Sequence, residues 1–96
     1  MAHYFVAQIK INDQDEYDKY LDKFDDIFSK YKGEILAVDE TPLILEGNWS
    51  YTKSVIVKFP GREEFNAWYY SGEYQQILKH RLDAAHCDTI LVEGIE

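Results

Sequence analysis

The sequence predicts an α+β fold of the ferredoxin-like sandwich type, a four-stranded antiparallel sheet with helices on one face, built in the order strand, helix, strand, strand, helix, strand. Three observations carry that reading. Apolar residues recur with a period of two at both ends of the chain and in its middle, and with helical spacing in between. Ninety-six residues suffice for one domain, spanning 1–96, and for one core. The strands also carry large apolar side chains on both faces, so the face left free by the helices needs a cover of its own.

In residues 3 to 11, His3, Phe5, Ala7, Ile9 and Ile11 alternate with Tyr4, Val6, Gln8 and Lys10, which predicts a first strand covered on both sides. Asp13 with Glu16 three residues later resembles a capping box and starts a helix. Tyr17, Tyr20, Leu21, Phe24, Ile27, Phe28 and Tyr31 then fall at steps of three and four on one face, and Gly33 is expected to stop the helix as a left-handed cap. The opposite face carries Asp15, Asp18, Asp22, Asp25 and Asp26 with interleaved lysines. It reads as a solvated ridge, because a regular helix does not supply the turned loop that calcium needs.

Glu34 to Glu46 predicts a kinked edge strand in two halves, Ile35 to Val38 and Leu43 to Leu45, interrupted at Pro42, which has no N–H to give a ladder. A turn over Gly47 to Thr52 returns the chain into a strand over Lys53 to Phe59, so the pair is expected to form a hairpin with a loop of a few residues. After Pro60-Gly61 a helix begins without a side-chain cap, with Phe65, Trp68 and Tyr69 inward. Ser71 is a fresh N-cap. It opens a second helical piece whose inner face holds Tyr74, Ile77, Leu78, Arg81, Leu82 and Ala85, and Thr89 to Ile95 forms the last strand.

Composition narrows the function. A formal net charge of −8 argues against nucleic acid and against acidic membrane surfaces, both of which reward lysine and arginine. The lone Cys87 makes no internal disulfide, and the N-terminus lacks the features of a signal peptide, so a soluble, cytoplasmic protein is expected. The doubly apolar sheet predicts a homodimer that pairs the two open faces.

Glu46-Gly47-Asn48-Trp49, Phe59-Pro60, Trp68-Tyr69-x-Ser71, Tyr74-Gln75 and Arg81, followed by Leu91-Val92-Glu93-Gly94, resemble the domain of unknown function 1330 family over nearly the whole chain. The resemblance implies the dimeric α/β barrel superfamily, in which two ferredoxin-like protomers pair their sheets and enclose a cavity. Relatives in that superfamily include small monooxygenases, haem-degrading enzymes, isomerases and cyclases, so the fold leaves the reaction open. Gly72 stands where the family commonly has proline, which loosens the joint between the two helical pieces.

Arg81 leaves the middle of an apolar helix face and must find a carboxylate, backbone carbonyls or an anionic ligand. In the ligand reading, Trp68, Tyr69 and Tyr74 are apolar walls with phenolic handles, His3 looks inward from the first strand, and Trp49 covers the mouth or the dimer seam. His80 and His86, taken to share a helix, point to different sides and are expected to be exposed or capping. No phosphate-cradling loop, metal set or cofactor motif is present, and no catalytic residue is assigned. The expected function is binding of a small anionic or aromatic metabolite in the barrel cavity, extending to cofactor-free chemistry. The alternative is a non-enzymatic sensing or assembly module with a filled interior and Arg81 paired to a glutamate.

Overall fold

The computed structural model describes residues 1–95 and contains the elements β1 (His3–Ile11), α1 (Gln14–Phe28), β2 (Glu34–Asp39), β3 (Lys53–Phe59), α2 (Arg62–Tyr69), α3 (Gly72–Ala84) and β4 (Ala85–Glu93). The four strands form one antiparallel sheet in the order β2-β3-β1-β4, the ferredoxin-like arrangement that the order of elements predicts. None of its helices is long and apolar enough to cross a membrane among the described residues.

Period-two alternation decides which side chains meet the helices. Phe5, Ala7 and Ile9 of β1 and Lys53, Val55, Val57 and Phe59 of β3 face α1 to α3, and the core gathers on that side around Trp68. Trp68 stacks on Phe59 at 5.5 Å, meets Phe28 edge-on at 5.4 Å and Phe5 edge-on at 5.7 Å, and lies 4.3 Å from Tyr74. Each such pair adds roughly 0.5–1.5 kcal/mol beyond the area it buries. On the open face, Ala37, Ile56, Val6 and Ile90 stand in register across all four strands, and Ile90 is 61% exposed.

The caps follow the expected chemistry. Asp13 Oδ1 accepts from the Glu16 N–H, Ser71 Oγ accepts from the Tyr74 N–H, and Gly61 makes no side-chain cap. Glu16 turns instead to α3, where its carboxylate pairs with the His80 ring, and that hydrogen bond, with a second from Lys19, holds the carboxyl below its ordinary value of 4.5. His80 is therefore a tie between α1 and α3.

Several boundaries differ from those the pattern predicts. Helix α1 ends at Phe28 rather than running to Gly33, closed by tight turns in which the Ser29, Lys30 and Tyr31 N–H groups bond to Asp25, Ile27 and Phe28. Gly33 is not left-handed; Gly47, at φ 84°, is the residue in that region. A Cβ on Gly33 would stand 2.4 Å from Phe28 Cζ and 2.8 Å from Phe59 Cε1, so glycine is there to let the backbone pass between two rings. Leu43 to Leu45 form no strand. The Asp39 carboxylate bonds to the Thr41 N–H, Pro42 follows, and β3 starts only at Lys53, so nothing remains for them to pair with. The β2–β3 connection accordingly runs from Glu40 to Thr52, longer than a tight hairpin loop, and the kink in β2 is a bulge between Ile35 and Ala37.

Helix α3 passes into β4 without a loop, because the Ala84 carbonyl accepts from both the Asn12 and Asp13 N–H groups and ends the helix there. His86 therefore lies on β4, beside Lys10, and not on the helix with His80. Leu82 is exposed; eight residues after Tyr74 it has rotated about 80° off the inner stripe.

Two outcomes follow. Gly33→Ala should destabilise the protein by about 1–3 kcal/mol through overpacking against Phe28 and Phe59, read from the denaturant midpoint. Because the Glu16 carboxyl is held below 4.5 in the folded state, its contribution is complete above pH 4.5 and is lost as the pH falls below that value. The Tm gap between wild type and Glu16→Gln should thus be present at about pH 5 and close in more acid solution; a gap unchanged in acid would refute the assignment.

Candidate functional site

A cavity of about 200 Å³ lies between the sheet and α1, on the helix-covered side of a single protomer. Its floor is Phe5, Ala7, Ile9, Val55 and Val57. Tyr17, Tyr20, Leu21 and Phe24 of α1 form the roof, and Ile35 and Val38 of β2, with Asp25, border it. Trp68, Lys53 and Arg81 complete the lining. The space exists because α1 presents aromatic residues over a strip of β1 where Ala7 is small, while β2, paired only to β3, leaves one side uncovered.

Arg81 enters from the last turn of α3, where a cation complements the helix C-terminus. It is 3% exposed, its guanidinium carbon lies 5.7 Å from the Tyr20 ring centroid, and its Nε and Nη1 donors have no hydrogen-bond partner. Lys53 enters from the other side at the start of β3. It is 7% exposed, donates to the Tyr17 hydroxyl at 3.3 Å and stands over the Tyr17 ring at 4.8 Å. Tyr17 and Tyr20, 5.6 Å apart, therefore lie between two buried cations. Among the described residues neither cation has a carboxylate within ion-pair distance. The Trp68 indole N–H is likewise buried and unpartnered.

Burial sets the protonation of this group. It pushes the Tyr17 phenol up to about 12, against the opposing pull of Arg81, and drives the Tyr20 phenol well above its ordinary value. Burial also lowers the Lys53 ammonium, with the Glu40 charge opposing. For Arg81, burial works against the charge, but the surrounding Tyr74 and Tyr20 oxygens and the Cys87 thiol outweigh it, and the guanidinium stays charged. The site therefore offers protonated phenols and a permanent cation, with the unpartnered Trp68 indole N–H buried within its wall. Every orphaned polar atom in it is a donor.

Of the residues singled out by sequence, Trp68 and Arg81 line the cavity. Tyr74 is fully buried and stands one step back, its hydroxyl bonded to that of Tyr20 at 2.7 Å. Tyr69 packs on Phe65 at 5.2 Å outside the lining. His3 bonds through Nδ1 to the Met1 carbonyl at 3.1 Å, and Trp49 packs edge-on against Tyr51 at 5.1 Å in the β2–β3 connection; both lie away from the cavity. Lys53, Tyr17 and Tyr20 were not singled out. The signal for Lys53 was its place two residues before Val55 on the inward face, and for the tyrosines their place in the helical stripe that was assigned to core alone. Among the described residues no three His, Cys, Asp or Glu side chains converge on a metal-sized space.

The fold and cavity define a ferredoxin-like α+β domain with a cationic, aromatic pocket under its first helix. The chain belongs to the family described as domain of unknown function (DUF1330), which it matches over residues 2–95. No curated protein matches it. Among solved structures it is similar to a protein of unknown function from Rhodopseudomonas palustris, at TM-score 0.81 and 16% identity, covering 99% of this chain and 83% of that one. It is also similar to SnoaB, a cofactor-independent oxygenase from Streptomyces nogalater, at TM-score 0.70 and 10% identity over 99% and 94% of the two chains. A dimeric ferredoxin-like protein of unknown function from Thermobifida fusca matches at TM-score 0.71 and 14% identity over 98% and 92%.

Proposed function

We propose that residues 1–96 form one domain that pairs with a second copy through its open sheet face and binds, inside each protomer, a small organic anion with an aromatic body. The observation that carries this is the set of buried donors without acceptors, Arg81 Nε and Nη1 and the Trp68 N–H, on two residues that line an apolar cavity. Leaving such donors unpaired costs roughly 1–3 kcal/mol each, and more for a charged group. A ligand carboxylate or enolate would supply the acceptors, and the Tyr17, Tyr20, Phe24 and Trp68 rings would flank its body. The pairing with glutamate that an assembly module would use for Arg81 is not made among the described residues, which favours the ligand reading.

A protonated phenol beside a guanidinium is also suited to stabilising an oxyanion, so chemistry on the bound anion without a cofactor is in keeping with the site. SnoaB, described as a cofactor-independent oxygenase, supports the compatibility of such chemistry with this fold but not its presence here.

The test is thermal shift with benzoate, salicylate and phenylpyruvate. Wild type should be stabilised by at least one of them, through preferential binding to the folded state. Arg81→Met replaces a buried lone cation by an apolar chain of similar length, so its unliganded stability should stay within about 1 kcal/mol of wild type or exceed it. The ligand-induced shift should disappear. Equal shifts in both proteins, or gross unfolding of Arg81→Met, would count against a ligand role for Arg81.

The second copy is supported by the apolar row Ala37, Ile56, Val6 and Ile90 and by the dimeric state in the description of the Thermobifida fusca protein. Light scattering at micromolar concentration should give twice the 11.3 kDa chain mass, and Val6→Asp, which places a charge at the centre of the row, should shift it to the chain mass itself. A wild-type monomer would exclude the pairing.

A further inference from the structure

Lys53 presents a second problem that anion binding by Arg81 does not solve. Lys53 lies at the opposite end of the Tyr17–Tyr20 pair, is 7% exposed and lines the cavity, and although the Glu40 charge acts on it, among the described residues no carboxylate comes within ion-pair distance. Lysine is a poor choice for a fixed structural cation inside a protein, because a strongly hydrated point charge loses more on burial than a delocalised guanidinium. At this position in the ladder, opposite Ile9 and beside Val55, an aliphatic residue would complete the inward face at lower cost. A lysine desolvated in an apolar pocket is an arrangement in which the amine becomes a nucleophile.

We propose that Lys53 forms an imine with the carbonyl carbon of an aldehyde or ketone whose acidic group is held at Arg81. This rests on the ligand-binding reading above and adds the substrate class, an oxo acid with an aromatic body. Nζ reacts as the neutral amine, its ammonium proton having passed to solvent. The lone pair attacks the carbonyl carbon to form a C–N bond while one of the two amine protons moves to the carbonyl oxygen, giving a carbinolamine. The C–O bond then breaks as the hydroxyl takes a proton and leaves as water, the nitrogen gives up its second proton in exchange, and the C=N bond is complete. No oxidant or reductant is consumed. Tyr17, whose hydroxyl lies 3.3 Å from Nζ and which burial keeps protonated, is placed to pass a proton to the departing oxygen. Arg81 faces the other end of the tyrosine pair, so it orients the acid group without crowding the amine.

The experiment is reductive trapping with 4-formylbenzoate and sodium borohydride, followed by intact mass and peptide mapping, beside benzoate thermal shift on the same protein. Wild type should gain one adduct on the peptide carrying Lys53, equal to the mass of the aldehyde less one oxygen because water is lost and two hydrogens are gained on reduction, and excess benzoate should suppress it. Lys53→Met should lose the adduct. Lys53→Arg, which keeps the cation and removes the nucleophile, serves the same purpose if Lys53→Met does not fold. Arg81→Met should lower trapping by about tenfold or more, the loss expected for one charged hydrogen bond. A benzoate shift with no trapping, or with labelling spread over the surface lysines, overturns the imine and leaves the anion site standing. Neither shift nor trapping overturns both.

Discussion

The structure depends on how a guanidinium with almost no solvent contact is accommodated between α1 and α3. Arg81 cannot shed its proton, so the protein itself must supply what water would. It does this with π-faces and phenol oxygens: the Tyr20 ring lies under the guanidinium, and Tyr20 and Tyr74 are locked to each other by their hydroxyls. That arrangement explains why both helices carry tyrosine where phenylalanine would pack equally well. It also joins α1 to α3 across the interior, a link reinforced at the surface by Glu16 with His80 and, in the turns just after α1, by Lys30 and Tyr31 with Glu73. Yet two guanidinium donors remain without acceptors, so the solvation is incomplete in a way that a bound anion would complete.

Much of the fold was legible in the sequence because its signals are local. Alternation from His3 to Ile11 and from Lys53 to Phe59, the helical stripe from Tyr17 to Tyr31, and the Asp13 and Ser71 caps each report on residues within a few positions of one another, and each appears where the pattern puts it except for the end of the stripe, where the helix stops at Phe28. What was not legible depends on residues far apart. Gly33 has the sequence context of a helix cap, but the reason for glycine is a pair of rings, one of them on β3. Leu43 to Leu45 have the composition of a strand, but a strand requires a partner, and β3 is already spent on β2 and β1. The start of β4 at Ala85 is fixed by two N–H groups at Asn12 and Asp13 that claim the Ala84 carbonyl.

The site was half legible for the same reason. A cation on an apolar helix stripe is conspicuous, and Arg81 stood out for that. Lys53 sits at a strand end beside polar turn residues, where a lysine is ordinary, and only its phase relative to Val55 and Val57 shows that it points inward. Tyr17 and Tyr20 are unremarkable members of an aromatic-rich helix until the sheet brings Lys53 under one and α3 brings Arg81 under the other. Tyr69 and His3 stood out for residue type and strand phase, but neither property says how near a side chain comes to a cavity.

The two faces of the sheet divide the work between them. The row Ala37, Ile56, Val6 and Ile90 belongs to the same strands whose other face, through Ala7, Ile9, Val55 and Val57, floors the cavity. Covering the open face would therefore stiffen the floor from behind without contributing a side chain to it, and each protomer would keep a complete site. The roof is different: α1 reaches the pocket border through Leu21 and Asp25, and β2, the strand there, is an edge bonded only to β3 and broken by a bulge. Access to Arg81 and Lys53 is accordingly easiest along the line between α1 and β2, where the fewest backbone hydrogen bonds have to yield. A carboxylate at that border, Asp25, would repel an anion pausing in the entrance while the two interior cations attract it, so the electrostatic gradient runs inward to the tyrosine pair.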